Sequence, residues 1–199
     1  MSATITLIDY RAGNMASVRK AFEHLGTNVA VTSVPMDVCH AEKIVLPGVG
    51  HFSATRAIDE FALRKPILEA VKAGVPFLGI CVGMQWMYDG STESPGVPGA
   101  GLIEGMCDVF PPDVKSPHVG WNTITKTKES RILADINNEA FVYFTHSYRG
   151  PLTSECVATT QYGGTFAAVV EHNNIFGTQF HPEKSGDVGL KILQNFITL

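Results

Sequence analysis

The sequence predicts an α/β fold with a mostly parallel central sheet flanked by helices and an antiparallel extension. Three observations predict it. Through the first hundred residues, short apolar runs alternate with helical stretches. Runs such as IVL (44–46) and VPFLGI are apolar throughout, the pattern of strands covered on both faces. After about residue 100 the rhythm changes to strands separated by turn residues, which indicates antiparallel pairing.

The elements follow in order. ATITLID (3–9) alternates and is β-branched, and predicts a strand. Asn14 can cap a helix through MASVRKAFEHL, with Gly26 as its stop. TNVAVTS predicts a second strand, and KIVLPGVG (43–50) a short buried strand entering a glycine-rich loop. Residues 53–73 predict a helix broken in two by Pro66 and ended by Gly74. VPFLGI (75–80) is another apolar strand, and GMQWMYDG starts the next helix. FVYFTHSYRG, ECVATTQY and TFAAVVEHNNIFGTQF supply the later strands, with Gly163-Gly164 and Asn173-Asn174 as turns. GDVGLKILQNFITL closes as an amphipathic helix with Val188, Ile192 and Phe196 near one face. With no repeat, low-complexity tract or linker, 1–199 is expected to be a single domain.

Composition narrows the function. Apolar residues make up 45% and charged residues 17%, which suits a core-rich enzyme and not a disordered chain. The net charge is -4 without a Lys/Arg cluster, so neither nucleic acid nor a membrane surface is expected as a partner. The opening MSATITLIDY lacks the basic start of a signal peptide, and no run of about 18 apolar residues spans a membrane. Cys39, Cys81, Cys107 and Cys156 are scattered without a C-x-x-C pair, which favours a reducing cytoplasm over a disulfide framework or zinc site.

One cysteine stands apart. Gly79-Ile80-Cys81-Val82-Gly83 follows an apolar strand and precedes a helix, the context of a nucleophile elbow. Side chains at the flanking positions would collide with strand and helix, hence the glycines. Amides of the following helix favour a thiolate by roughly 0.3–1 kcal/mol, and the amide of Val82 is placed to serve an oxyanion. Cys39, Cys107 and Cys156 have no such surroundings and are expected to be small core residues.

A thiolate nucleophile needs a base, and the base an orienting group. Among seven histidines, His181 in FGTQFHPEKS ends an apolar strand with Glu183 two residues on. In extended chain such residues point the same way, and Pro182 favours extended backbone before it. His24 and His172 are expected in solvent, and His51 and His118 in loops without a carboxylate partner. In LPGVGHF, Gly48 and Gly50 allow backbone to approach a ligand or turn an amide toward an oxyanion; one such donor is worth about 10²–10³ in rate.

Taken together, PGVG, GICVGMQ and HPEKS resemble the class I (triad) glutamine amidotransferases, over essentially the whole chain. The resemblance implies their flavodoxin-like fold, with Cys81 as nucleophile, His181 as general acid/base and Glu183 as its orienting partner. It implies oxyanion-hole amides at Val49 and Val82, and glutamine held by Gly48, Gly50, Gln85, Ser147 and Tyr148. The activity implied is hydrolysis of L-glutamine to glutamate and ammonia through a cysteine thioester, with no metal and no cofactor. Most relatives have Pro-Gly-Gly where this chain has Pro47-Gly48-Val49-Gly50, and lack PHVGWN (117–122). Both features, with DYRAGN near the start, resemble the branch serving histidine biosynthesis; Arg11 stands where glycine is expected there. That branch implies a cytoplasmic heterodimer in which ammonia passes to a cyclase subunit, a (β/α)₈ barrel facing Asn14, Trp121, Asn122, Tyr143 and Lys184. At 199 residues this polypeptide leaves no room for the barrel, so the partner is expected as a separate chain. The rival expectations are a glutaminase subunit of another amidotransferase, a cysteine peptidase or DJ-1-like cysteine hydrolase, and a non-catalytic binding module.

Overall fold

The structure, a computed structural model, describes residues 4–199. Ala3, where the first predicted strand begins, lies outside the described residues, as do the first two residues of the opening segment. The first half alternates: β1 (Ile5–Ile8), α1 (Met15–His24), β2 (Val29–Thr32), α2 (Pro35–Cys39), β3 (Lys43–Leu46), α3 (Arg56–Glu60), α4 (Arg64–Lys72), β4 (Phe77–Ile80) and α5 (Val82–Trp86). The second half is mostly strand: β5 (Gly90–Ser91), β6 (Met106–Val109), β7 (His118–Lys126), β8 (Ala140–His146), β9 (Tyr148–Arg149), β10 (Cys156–Gln161), β11 (Thr165–His172) and β12 (Ile175–Thr178), followed by α6 (Gly186–Ile197). Two 3₁₀ turns, Phe52–Thr55 and Pro182–Lys184, lie between elements.

The main sheet runs β2-β1-β3-β4-β12-β11-β10-β7-β8. Ladders from β2 to β12 are parallel and those from β12 to β8 antiparallel, so β12 is the seam between the halves. A small second sheet, β5-β6-β9, sits beside it. β1, β3, β4 and β12 are buried at every position, which is why their sequences are apolar runs. β2 lies at the edge, and its Ala30 and Val31 are exposed. The chain passes from β1 leftward to β2, then back across β1 to β3; right-handed crossovers therefore set α1 and α2 on opposite faces. α1 packs with α6, and α2 with α4. On α6, Ile192, Leu193 and Phe196 are fully buried, each worth about 1.5–3 kcal/mol. Among the described residues no helix is long and apolar enough to cross a membrane.

Three expectations need correction. The helix over 53–73 does break, but ahead of Pro66. α3 ends in a Schellman closure, with Leu63 N bonded to Ile58 O, Ala62 N to Asp59 O, and Ala62 left-handed at φ 55°. Pro66 then sits in the first turn of α4, where its missing N–H has no helical acceptor to lose. His118 belongs to β7, not to a loop. Cys39 is exposed at the end of α2, whereas Cys107 and Cys156 are buried.

Candidate active site

Four segments meet beyond the carboxyl ends of parallel strands, where open α/β sheets hold their ligands. They follow β1 (9–14), β3 (47–51), β4 (Cys81) and β12 (179–184).

Cys81 comes directly after β4, at φ 53° and ψ -106°. Left-handed backbone at a non-glycine residue costs on the order of 1–3 kcal/mol and persists only where its surroundings dictate it. Here the Cys81 amide is held by Thr178 O of β12 at 2.7 Å. The flanking glycines are required by contact. A Cβ at Gly83 would stand 1.9 Å from Leu46 O, and one at Gly79 2.5 Å from Gly83 O. β3, β4 and the start of α5 press together with no room for a methyl group. Gly48 plays the same part beneath the next loop, since its Cβ would stand 2.6 Å from that of Val82. Tyr10 ties this loop down by donating its hydroxyl to Pro47 O at 2.8 Å, and burial, with the nearby Cys81 charge, keeps that hydroxyl protonated. α5 is a single turn, and Val82 as its first residue carries an amide with no intrahelical acceptor.

His181 is anchored through its amide to Tyr143 O at 2.9 Å. Its Nδ1 is 2.8 Å from Glu183 Oε1, and both side chains are sealed, at 1% and 0% exposure. The pair is not the extended i, i+2 arrangement that the sequence suggests. His181 is extended, but Pro182–Lys184 form a 3₁₀ turn, which carries the carboxylate back to the ring. Burial alone would lower the His181 pKa. The neighbouring Cys81 sulfur, reinforced by Glu183, outweighs burial and pushes it up to about 10. The structure thus brings Cys81, His181 and Glu183 together, with the imidazole held as a cation between sulfur and carboxylate.

Asn14 joins this group. It stands at the start of α1 but makes no side-chain cap; its Nδ2 donates instead to Glu183 Oε1 at 3.3 Å. Trp121 (56% exposed) is the cross-strand neighbour of Tyr143, with rings 6.0 Å apart, and Lys184 Nζ lies 5.9 Å over the Tyr143 ring. Asn122 departs from that patch. Adjacent strand residues face opposite ways, and its side chain donates to Gln161 O at 3.0 Å and lies 3.4 Å from His118 Nε2.

A pocket of about 380 Å³ opens over the sulfur. Val49, Gly50, Cys81, Val82, Gln85, Ser147 and Tyr148 line it, with His51, Glu93, Pro117, Thr145 and His146. Gly48, expected among the ligand contacts, is not in the lining; it is packed under the elbow. Sequence reasoning missed Glu93. It accepts from Phe52 N at 2.6 Å and stands 4.0 Å from His51 Nε2, so His51 does have a carboxylate partner. Nothing in the sequence around Glu93 signals this. A buried thiol, an imidazole oriented by a carboxylate, and the first amide of α5 beside a small pocket together suit nucleophilic acyl transfer.

Comparison with known proteins identifies the family. The glutamine amidotransferase class-I family profile matches residues 6–199. The chain is 45% identical over 197 residues to the imidazole glycerol phosphate synthase subunit HisH of Deinococcus radiodurans, covering 96% of this chain and 92% of that protein. It is 43% identical over 197 residues to the subunit of the same name from Methanocaldococcus jannaschii, covering 98% and 99%. Among solved structures, PurLQS from Thermotoga maritima superposes with a TM-score of 0.78 at 19% identity, over 100% of this chain and 99% of that one, a likeness of fold.

Proposed function

The chain belongs to the glutamine amidotransferase class-I family, and we propose that it works as the glutaminase subunit of an imidazole glycerol phosphate synthase, with Cys81, His181 and Glu183 as its catalytic triad. The observation that carries this reading is the buried His181–Glu183 pair, 2.8 Å apart and set beside the Cys81 sulfur.

The chemistry follows from that arrangement. The Cys81 thiolate attacks the side-chain carbonyl carbon of glutamine, forming a C–S bond and placing charge on the carbonyl oxygen. Amides of Val82 and Val49 receive that charge; Gly50, at φ 104°, gives the 49–50 peptide freedom to present its donor. His181 transfers its proton to the leaving nitrogen, the C–N bond breaks, and ammonia departs from a thioester. Water then gives a proton to His181 and attacks the thioester. The C–S bond breaks, and glutamate leaves with the thiolate–imidazolium pair restored. Glu183 holds Nδ1 throughout, so Nε2 remains the atom that gives and takes the proton. Gln85, Ser147 and Tyr148 line the pocket where the amino-acid end of the substrate would lie.

The relatives' names speak of a subunit, and a cyclase is the partner this function requires. We read that partner as a (β/α)₈ barrel bound in a heterodimer against Trp121, Tyr143 and Lys184, beside the triad turn. Ammonia handed across such an interface avoids protonation to ammonium in solvent.

The test is reconstitution with a cyclase subunit. Cys81→Ala is expected to abolish glutamine-driven product formation while added ammonium salt still supports it. Glutaminase activity surviving in Cys81→Ala overturns the assignment.

A further inference from the structure

Gln179 is wholly buried immediately after β12. Its Nε2 lies 3.6 Å from Cys81 Sγ, and its Oε1 lies 3.3 Å from Gln85 Nε2. An amide's two ends have the same shape, so the surrounding bonds must decide which end faces the sulfur. The carbonyl of Tyr148 decides it, because a carbonyl only accepts. Gln85 Nε2 donates to it at 2.8 Å, and so does His146 Nδ1 at 2.8 Å. Gln85 therefore turns its NH₂ group toward Gln179, which must answer with oxygen. The NH₂ group of Gln179 is left for the sulfur. The other branch agrees. His146, carrying its proton on Nδ1, offers a bare Nε2, which accepts from His118 Nδ1 at 3.2 Å. Burial keeps both rings neutral, so this polarity holds at neutral pH.

We propose that Gln179 is a fourth catalytic side chain: it donates an N–H hydrogen bond to the Cys81 sulfur, holding it as a thiolate, and the Tyr148 carbonyl fixes the direction of that bond through Gln85. The proposal rests on Cys81 being the nucleophile. It supplies something His181 cannot. His181 gives its proton to the departing ammonia, so it is neutral when the thioester forms. The amide of Gln179 keeps its protons at every step. It is therefore in place even at the thioester stage, when His181 is neutral, and stands beside the reprotonated His181 when the sulfur leaves as a thiolate. Because Gln85 both lines the pocket and holds Gln179, filling the pocket acts on the sulfur through the same bonds.

The experiment uses the full chain with Cys39→Ser, which removes the exposed thiol, and reads the rate of Cys81 alkylation by iodoacetamide. At pH about 7, Gln179→Leu is expected to slow alkylation about tenfold, the scale of one charge-assisted hydrogen bond, with the deficit closing as pH rises. With the cyclase present, kcat on glutamine falls about tenfold while KM stays within about twofold. Gln179→Glu, which sets an acceptor where the donor was, is slower in both assays. Unchanged alkylation and unchanged kcat in a folded Gln179→Leu chain overturn the proposal. If that variant does not fold, Gln85→Leu takes its place, since it releases the orienting bond; unaltered alkylation there is equally fatal. Cys81→Ala in the same background keeps the two readings apart. Glutaminase activity surviving in that chain refutes the triad, whereas a Cys81-dependent glutaminase indifferent to residue 179 refutes this inference alone.

Discussion

The amide of Asn14 donates to Oε1 of Glu183 at 3.3 Å, the same oxygen that holds Nδ1 of His181. A residue 169 positions upstream thus steadies the carboxylate that steadies the base. Asn14→Ala is expected to lower kcat about three- to tenfold, the scale of one hydrogen bond to a charged group. Asn14→Asp is expected to fall further, because it sets a second carboxylate against the first. Steady-state glutaminase kinetics on the reconstituted complex check both. An Asn14→Ala enzyme that loses affinity for its partner at unaltered kcat would confine Asn14 to the interface.

The elbow tolerates no side chain at its second glycine. Gly83→Ala drives a methyl group to within 1.9 Å of a strand carbonyl and is expected to cost more than about 3 kcal/mol, or to abolish soluble expression. Gly26→Ala is the control. It has open space around it and only a φ of 76° to strain, so about 1 kcal/mol is expected. Urea unfolding of the two variants gives the comparison.

Acid should weaken the fold through the buried histidine pair. Burial lowers the pKa of His118 to about 4 and that of His146 to about 3, against about 6.5 in an unfolded chain. Between these limits the unfolded state binds more protons than the folded one. The stabilisation is complete above pH about 6.5 and is lost as pH falls toward the folded values. Each ring contributes a slope of about 1.4 kcal/mol per pH unit. Denaturation at pH 7, 6 and 5 reads it. His118→Phe, which keeps an aromatic ring against Phe144 and Tyr162, is expected to remove at least half of the histidine-dependent slope.

Trp121 is more than half exposed beside Tyr143 and Lys184, and exposed tryptophans make strong anchors. Trp121→Ala is expected to weaken cyclase binding by about 2 kcal/mol or more while leaving unfolding of the isolated chain within about 0.5 kcal/mol. Titration calorimetry and thermal melts separate the two quantities. Equal affinity in the variant would move the interface elsewhere.

Much of this was readable because chemistry follows apolar strands in the sequence. Cys81 comes directly after FLGI, and Gln179-Phe180-His181 follows IFGT, so strand ends mark the site before any fold is known. What escaped reading depends on which strands become neighbours. His118 and His146 lie opposite each other on β7 and β8, a register that no local signal announces. Asn14 reads as a helix cap because that is what asparagine does locally; tertiary structure offers its amide a carboxylate instead. Gln179 and Glu93 reveal nothing until their partners are in place. The break before Pro66 was misplaced because a Schellman closure normally displays glycine, and here Ala62 takes the left-handed position.

The seam strand has a consequence for how fixed the chemistry is. β12 lies in parallel register with β4, Thr178 opposite Ile80, so the nucleophile leaves β4 one residue past the last rung and its base leaves β12 three residues past it. Adjacent strands in any sheet stand about 4.8 Å apart. The separation of the two strand ends from which they depart is therefore inherited from peptide geometry and is indifferent to drift in the surrounding side chains. Adjusting this enzyme, by selection or by an engineer, must work through the turns at the sheet's rim; the rungs themselves offer nothing to adjust.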